Sequence, residues 1–198
     1  MAILNYTDFS DYASYRQFID DCVAKNITSG NEQTNEKIEA TKLNIVRIRR
    51  IEKQFELSNE IKALLDKLHK KITWIVLTEI WCGDSAQNLP IIAKAAAYST
   101  NINLQLILRD KHPEIMDKYL TNGSRAIPKL ICLDAQTNSD LAVWGPRPAK
   151  IQNIVKAYKS ENPNVSHDEF VNNLHLWYAK DKGESMQEDL VVLLKTLI

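Results

Sequence analysis

Cys82 is the side chain of this sequence with the clearest potential for chemistry. It stands between an apolar run that begins at Ile72 and an alanine-rich segment over residues 86–97. The run is typical of a buried strand and the segment of a helix, so Cys82 is predicted at a strand-to-helix turn. The positive end of the helix dipole and unpaired backbone N–H groups there favour a thiolate. The sequence therefore predicts a nucleophile near neutral pH, with a buried structural thiol as the alternative.

The residues around Cys82 each affect that chemistry. Gly83 allows the chain to approach closely, and Trp81 can shield one side of the sulfur. Ser85 either donates a hydrogen bond to the thiolate or merely occupies the first helical turn. It cannot form a disulfide with Cys82, so a dithiol cycle is unavailable at this turn. The carboxylate of Asp84 is expected to raise the pKa of the thiol unless it points to solvent.

The other potential ligands and nucleophiles do not form a second site. The chain has three cysteines, and Cys22 and Cys132 lie in apolar patterns typical of core packing. The four histidines have no ligand-like spacing with cysteines, and no phosphate-binding or dinucleotide-binding fingerprint occurs. We therefore expect no metal and no cofactor. An odd number of distant cysteines also favours a reducing, cytoplasmic setting.

Residues 81–85, Trp-Cys-Gly-Asp-Ser, resemble the active-site turn of the thioredoxin superfamily, Trp-Cys-Gly-x-Cys, with the second cysteine replaced. Two further landmarks agree. Pro90 follows the cysteine by eight residues, where thioredoxins carry a helix-kinking proline, and Ile127-Pro128 precedes a strand at about the spacing of the family's cis-proline loop. Residues 144–148, Trp-Gly-Pro-Arg-Pro, are similar to a branch of bacterial thioredoxin-like proteins.

The resemblance implies a substrate groove beside the cysteine. In thioredoxin-like folds the cis-proline loop pairs with the backbone of an extended substrate. Carried over, Pro128 is cis and lines this groove; the alternative is an ordinary proline at a strand start. Gly145 is similar to the glycine that completes the groove. Arg147 then supplies positive charge near a bound acidic group, or is a solvated arginine in a helix-start turn. The implied groove residues are Trp81, Gly83, Asp84, Ala126, Ile127, Pro128, Gly145 and Arg147.

Periodicity and chain breakers predict the elements that position this turn. Strands are expected from 72, and at 103–108, 129–134 and 141–144. Helices are expected at 6–25, 34–55, after Ser58, at 86–97 and 113–120, after 145–148, and on either side of Gly183. The order β-α-β, short helix, β-β-α is the thioredoxin order. The predicted fold is therefore α/β and thioredoxin-like, a central mixed β-sheet flanked by helices, with helical extensions at both termini.

The chain is expected to form one domain of 198 residues. The resemblance covers about 57–160, which leaves an N-terminal helical extension at 1–56 and a C-terminal one at 161–198. No stretch between these parts has the length or composition of an interdomain linker.

Composition argues against nucleic acid and membrane partners. Lys and Arg together number 25, as do Asp and Glu, so the formal net charge is zero and there is no global field. A basic cluster on the second helix, at Arg47, Arg49, Arg50 and Lys53, is interpreted as a solvated face. The chain start lacks the pattern of a signal peptide, and no run is long enough to span a membrane.

The predicted function is that of a cytoplasmic monothiol thioredoxin-like protein. The Cys82 thiolate attacks a protein disulfide or a low-molecular-weight-thiol adduct, and an external thiol resolves the mixed disulfide. The buried aspartate that helps proton transfer in the family corresponds to Val76 here, which argues against ordinary disulfide reductase chemistry. The alternative is a non-catalytic peptide-binding or chaperone-like module. Similarity to monothiol glutaredoxins, Cys-Gly-Phe-Ser, some of which hold iron–sulfur clusters, is weaker because Asp84 replaces the aromatic residue.

Overall fold

A mixed sheet of four strands lies at the centre of the computed structural model, which describes residues 6–198. Residues 1–5 lie outside the described residues. They belong to the predicted N-terminal extension and to the chain start that lacks a signal-peptide pattern. The strands are β1 (Ile72–Thr78), β2 (Ile102–Leu108), β3 (Lys129–Asp134) and β4 (Asp140–Trp144), in the order β2-β1-β3-β4. β1 runs parallel to β2 and antiparallel to β3, and β3 runs antiparallel to β4.

Eight helices surround the sheet in the described part of the chain. They are α1 (Tyr12–Ala24), α2 (Asn35–Gln54), α3 (Asn59–Asp66), α4 (Gly83–Tyr98), α5 (Pro113–Met116), α6 (Ala149–Glu161), α7 (His167–Asp181) and α8 (Glu184–Leu197). The predicted α/β class is therefore confirmed. No helix within residues 6–198 combines the length and apolar character needed to cross a bilayer.

Three predicted helix boundaries were wrong, and local chemistry explains two of the differences. The first helix begins at Tyr12 instead of residue 6, because the Asp11 carboxylate caps it by accepting from Ser14 N at 2.7 Å. Upstream of this cap, Phe9 forms an antiparallel bridge with Leu106 at the edge of the sheet. α4 begins directly after Cys82, three residues earlier than predicted, because the residues from Gly83 onward already have helical hydrogen bonds. α5 ends at residue 116 instead of 120.

The sheet has one hydrophobic core on each face, and the side chains of β1 alternate between the two cores. All seven β1 residues are buried; Trp74 and Val76 point into the larger core, and Ile75 and Leu77 into the smaller one. The larger core also takes apolar side chains from α1, α2, α3, α4 and α8. A third apolar cluster joins α6 to α7. Helices from both sides of the sheet segment in sequence, α1 and α8 among them, thus pack on the larger core.

Candidate functional site

Cys82 is the N-cap residue of α4, at the end of the turn that follows β1. Its backbone N–H donates to the Glu79 carbonyl at 3.1 Å, and its own carbonyl accepts from Ala86 N at 3.1 Å. The thiol donates to the Ile127 carbonyl with a sulfur-to-oxygen distance of 3.4 Å. The predicted strand-to-helix position of this cysteine is therefore correct, and the side chain is only 8% exposed.

Burial keeps Cys82 in the thiol form. Burial, and after it the neighbouring Asp84 carboxylate, raise the pKa of the sulfur to about 11. Hydrogen bonds from Ser85 and from the first N–H groups of α4 lower the pKa, but they do not offset the loss of solvation. The prediction of a thiolate near neutral pH was therefore wrong, because the favourable helix end is not exposed to water.

Ser85 lies in the first turn of α4 and is 2% exposed. Its hydroxyl oxygen has no partner at hydrogen-bond distance among the described residues, yet it lies close enough to Cys82 to lower the pKa of the thiol. A buried hydroxyl without another partner is free to turn toward the sulfur. Ser85 is therefore close enough to interact with a Cys82 thiolate, although its hydroxyl makes no hydrogen bond to another described residue in this structure.

Asp84 does not point to solvent. Its carboxylate forms a forked ion pair with Arg147, at 2.9 Å from Nε to Oδ1 and 2.7 Å from Nη2 to Oδ2. The Tyr178 hydroxyl donates to Oδ1 at 2.8 Å. Burial raises the pKa of Asp84, whereas Arg147 and Tyr178 act in the opposite direction. Arg147 is therefore paired within the protein, and the alternative of a solvated arginine was wrong. Its role beside a bound acidic group stays a prediction.

The loop that contains Ile127 and Pro128 contacts the sulfur of Cys82 through the Ile127 carbonyl. The Ile127–Pro128 peptide bond is cis, and Ile127 and Pro128 are buried while Ala126 is partly exposed. Gly145 has a φ of +119°, and a Cβ atom there would collide with the Pro128 carbonyl oxygen. Only glycine therefore fits where the chain passes this loop. The loop residues and Gly145 do not line the cleft described next, so their role as groove residues stays a prediction.

A cleft of about 580 Å³ opens above Cys82, between α2 and α7. Its floor is formed by residues 81–84 and Arg147, and its walls are mostly apolar, with Leu43 on α2 and Phe170 and Leu174 on α7. Trp81 is held on the floor by cations over its ring, with Lys37 Nζ 4.6 Å from the ring centroid. Both terminal extensions thus contribute to the surroundings of the cysteine.

His175 of α7 covers the start of α4. A Cβ atom at Gly83 would lie 2.6 Å from the imidazole, so this glycine makes room for the ring. The ring Nδ1 shares a hydrogen bond of 3.1 Å with the Gln87 side chain. Burial, together with the charges of Arg47, Arg50 and Arg147, lowers the pKa of His175 to about 3. His175 is therefore neutral at physiological pH.

Arg47 and Arg50 are site residues that the sequence did not reveal. Their side chains are partly buried beside α4, where Arg47 donates to the Asn44 side chain at 2.7 Å and Arg50 to the Gln87 side chain at 3.1 Å. Arg49, in contrast, is exposed and pairs with Asp20. The interpretation of this basic cluster as one solvated face was therefore wrong. The spacing of three residues between Arg47 and Arg50, which places both on one side of a helix, was the available signal.

Glu79 was also missed, although it stands three residues before the cysteine. It is fully buried; the Ser29 hydroxyl donates to one carboxylate oxygen, and Asp110 N donates to the other at 2.9 Å. Burial raises the pKa of Glu79. Ser29 also accepts from Ile80 N at 3.1 Å, so the pair ties the segment between α1 and α2 to the turn that carries the cysteine.

The two remaining cysteines pack in the core, as predicted. Cys22 is 3% exposed and Cys132 is completely buried, and all three cysteines are free thiols. Cys132 belongs to the larger core and Cys82 to the smaller one, on opposite faces of the sheet. Within residues 6–198, no group of three or more His, Cys, Asp or Glu side chains is arranged to hold a metal ion.

Comparisons with known proteins agree with this architecture. A family model described as thioredoxin matches residues 30–159. A solved protein of unknown function from Pseudomonas aeruginosa is 18% identical, with a TM-score of 0.63 over 96% of this chain and 95% of the other. An HIV epitope-scaffold is 16% identical, with a TM-score of 0.60 over 95% of this chain and 93% of the other. No curated protein matches the sequence. The predicted thioredoxin-like fold is confirmed.

Proposed function

Because the chain belongs to the thioredoxin family, we propose that it carries out thiol–disulfide exchange with Cys82 as a single exchanging thiol. The substrate is a disulfide of a protein or of a low-molecular-weight thiol, and the setting is a reducing cytoplasm. The observation that best supports the proposal is the position of Cys82 on the floor of the cleft, at the first turn of α4. Helix N-termini stabilise a thiolate once it forms.

The exchange proceeds in two steps. Cys82 first loses its proton to solvent, and the thiolate attacks one sulfur of the substrate disulfide. A new S–S bond joins Cys82 to that sulfur, the old S–S bond breaks, and the second sulfur leaves as a thiolate that takes up a proton. An external thiol then loses its proton, and its thiolate attacks the substrate sulfur of the mixed disulfide. A new S–S bond joins these two sulfurs, the bond to Cys82 breaks, and Cys82 leaves as a thiolate that takes up a proton. Ser85 cannot perform this second step, and Cys22 and Cys132 are buried in the larger core.

The high pKa of Cys82, about 11, limits the rate of the first step. Only a small fraction of the sulfur is a thiolate at neutral pH, so exchange is expected to be slow there and to accelerate as pH rises. A thiolate with a high pKa is also a stronger nucleophile than one with a low pKa, which offsets part of this deficit.

Site-resolved mass spectrometry tests the proposal. The protein is incubated with hydroxyethyl disulfide, and the mixed disulfide formed at each cysteine is followed with time. We expect the adduct on Cys82 to form first, to disappear on addition of an external thiol, and to be absent from Cys82→Ser. Modification of Cys22 or Cys132 at the same rate as Cys82 would contradict the proposal.

The burial of Cys82 favours a second candidate, a peptide-binding module that has lost turnover. The substitution Ser85→Cys separates the two functions because it restores a second thiol in the first turn of α4. An exchanging site gains dithiol reductase activity in this variant, with Ser85→Ala as the matched control that gains none. A folded Ser85→Cys protein that forms no disulfide with Cys82 and gains no activity would favour the binding module.

A further inference from the structure

The cleft above Cys82 contains one cation without a carboxylate partner among the described residues. Lys37 pairs with Glu32, Arg147 with Asp84, and His167 lies 3.9 Å from Glu36. Arg47 instead donates only to the neutral Asn44 side chain, and burial lowers the pKa of its guanidinium. A partly buried charge that lacks a counter-ion is costly, and a bound anion would reduce that cost.

The surroundings of Arg47 increase this positive charge. Arg50 lies close enough to lower the pKa of the Arg47 guanidinium, and it too has only a neutral partner, Gln87. Burial, and after it the charges of Arg47, Arg50 and Arg147, keep the nearby His175 neutral. The N-terminus of α4 adds its own partial positive charge at the same place. The positive charge is local to these arginines, because the cleft is also lined by the carboxylates of Glu32, Glu36, Glu39, Asp84 and Asp168.

Arg47 also lies close to the residue that follows the cysteine. One of its terminal nitrogens lies 3.8 Å from the point where a Cβ atom on Gly83 would stand, and Gly83 directly follows Cys82. A carboxylate on Arg47 is therefore within a few bonds of a disulfide that reacts at Cys82. Three acidic side chains line this wall, Glu32 before α2 and Glu36 and Glu39 on it, and all are mostly exposed at the rim, where solvent screens them. Asp168 lines the cleft from an equally exposed position.

We propose that the cleft binds a small disulfide carrying a carboxylate, with the carboxylate on Arg47 and the disulfide on Cys82. This inference rests on the proposed exchange function and names its substrate class. The depth of the site favours a small molecule over a folded protein, because Cys82 is 8% exposed between two helical walls. A volume of about 580 Å³ is within the range of small-ligand pockets. The apolar side chains Leu43, Phe170 and Leu174 then contact the carbon chain of the ligand.

Three disulfides of similar size and different charge test the proposal: dithiodipropionate with two carboxylates, neutral hydroxyethyl disulfide, and cystamine with two ammonium groups. The rate of adduct formation at Cys82 is measured for each by mass spectrometry. We expect dithiodipropionate to react faster than hydroxyethyl disulfide, and cystamine to react slowest. In Arg47→Gln the ratio of the anionic to the neutral rate should fall about tenfold, and Arg47→Lys should retain part of it.

Arg49→Gln is the matched control, because Arg49 lies on the same helix but is exposed and paired with Asp20. Its rate ratio should equal that of the wild type, and circular dichroism verifies that every variant is folded. Equal rates for the three disulfides, or an anionic preference that survives in Arg47→Gln, would overturn the inference while leaving exchange at Cys82 intact.

A binding experiment keeps the two proposals separate. In Cys82→Ser, which cannot exchange, dithiodipropionate should shift the indole N–H resonance of Trp81, and the additional Arg47→Gln substitution should weaken this binding. If Cys82 reacts with none of the disulfides, the exchange function fails and this titration alone decides the inference. Failure of dithiodipropionate to bind Cys82→Ser more tightly than hydroxyethyl disulfide does would overturn the inference.

Discussion

At the scale of single residues, two opposing effects act on one sulfur. The start of α4 offers hydrogen bonds and a favourable dipole to Cys82, while burial and the Asp84 carboxylate oppose ionisation. The opposing effects are stronger, so the resting side chain is a thiol bonded to the Ile127 carbonyl. The reactivity of this site therefore depends on the charges that surround the sulfur as well as on the helix end.

The substitution Asp84→Asn should make Cys82 more reactive at neutral pH. It removes the negative charge nearest the sulfur and leaves Arg147 unpaired, and both changes favour the thiolate. We expect alkylation of Cys82 at pH 7 to be about 3- to 30-fold faster, since the gain in thiolate is partly offset by lower nucleophilicity. Asp168→Asn removes a charge from the rim of the cleft and is the control. An alkylation rate that is unchanged in Asp84→Asn would show that Asp84 does not control the sulfur.

His175 predicts a loss of stability in acid. Its pKa is lowered to about 3 in the folded chain, whereas the unfolded chain takes up a proton near the ordinary value of 6.5. Between these values the unfolded state binds more protons, so stability falls as pH decreases below about 6.5. We expect His175→Gln to remove about 2 kcal/mol of the decrease in unfolding free energy between pH 7 and pH 4.

Urea denaturation at several pH values measures this effect. His69→Gln, at an exposed position, is the matched control. A pH dependence in His175→Gln equal to that of the wild type would mean that folding does not shift the pKa of His175.

At the scale of elements, the site lies where the start of one helix, one loop and one glycine meet. α4 provides Cys82 and Ser85, the Ile127–Pro128 loop accepts the thiol hydrogen bond, and Gly145 after β4 packs directly on that loop. α7 adds Tyr178 and His175 through polar contacts with Asp84 and Gln87. The sulfur is therefore positioned by contacts between elements that are distant in sequence.

Gly145→Ala should strongly destabilise the protein. The new Cβ atom would collide with the Pro128 carbonyl, and the φ of +119° is unfavourable for alanine. We expect a loss of about 3 kcal/mol or more in unfolding free energy, measured by denaturant titration. Gly123→Ala isolates the collision, since Gly123 also has a positive φ, of +76°, but has open space around it. Similar losses for the two variants would indicate that backbone strain alone matters at Gly145.

At the scale of the whole molecule, both terminal extensions belong to the body that holds the site. α8 contributes Leu190 and Leu194 to the larger core, and α1 contributes Tyr15 and Ile19. α2 and α7 form the walls of the cleft. α1 and α8 therefore share the larger hydrophobic core with β1, while Cys82 lies in the smaller core on the other face of the sheet.

Leu190→Ala tests whether the last helix is part of that interior. Leu190 is completely buried, and its truncation should cost about 2–5 kcal/mol of unfolding free energy. Leu176→Ala on α7 is the matched control because Leu176 is 56% exposed, and it should change stability by less than about 0.5 kcal/mol. A loss of that small size in Leu190→Ala would mean that α8 contributes little to the stability of the molecule.

The local part of this site could be predicted from the sequence, and the long-range part could not. Strand alternation, a helix pattern and the order of elements identify the turn at Cys82, because these signals lie within neighbouring residues. The pairing of Asp84 with Arg147, and the approach of Arg47 and His175 to Gly83, depend on how distant helices pack. The burial that raises the pKa of Cys82 arises from the same packing. Sequence spacing therefore placed Cys82 correctly at the start of a helix but gave the wrong protonation state.

Alkylation of the three cysteines, followed one by one across pH by mass spectrometry, tests the central claim most directly. The claim is that Cys82 is the accessible exchanging thiol and that burial keeps it protonated at rest. We predict that Cys82 reacts ahead of Cys22 and Cys132 at every pH, with a rate that keeps rising toward an apparent pKa of about 11. A Cys82 that reacts no faster than the two core cysteines, or whose rate levels off near neutral pH, would contradict the account.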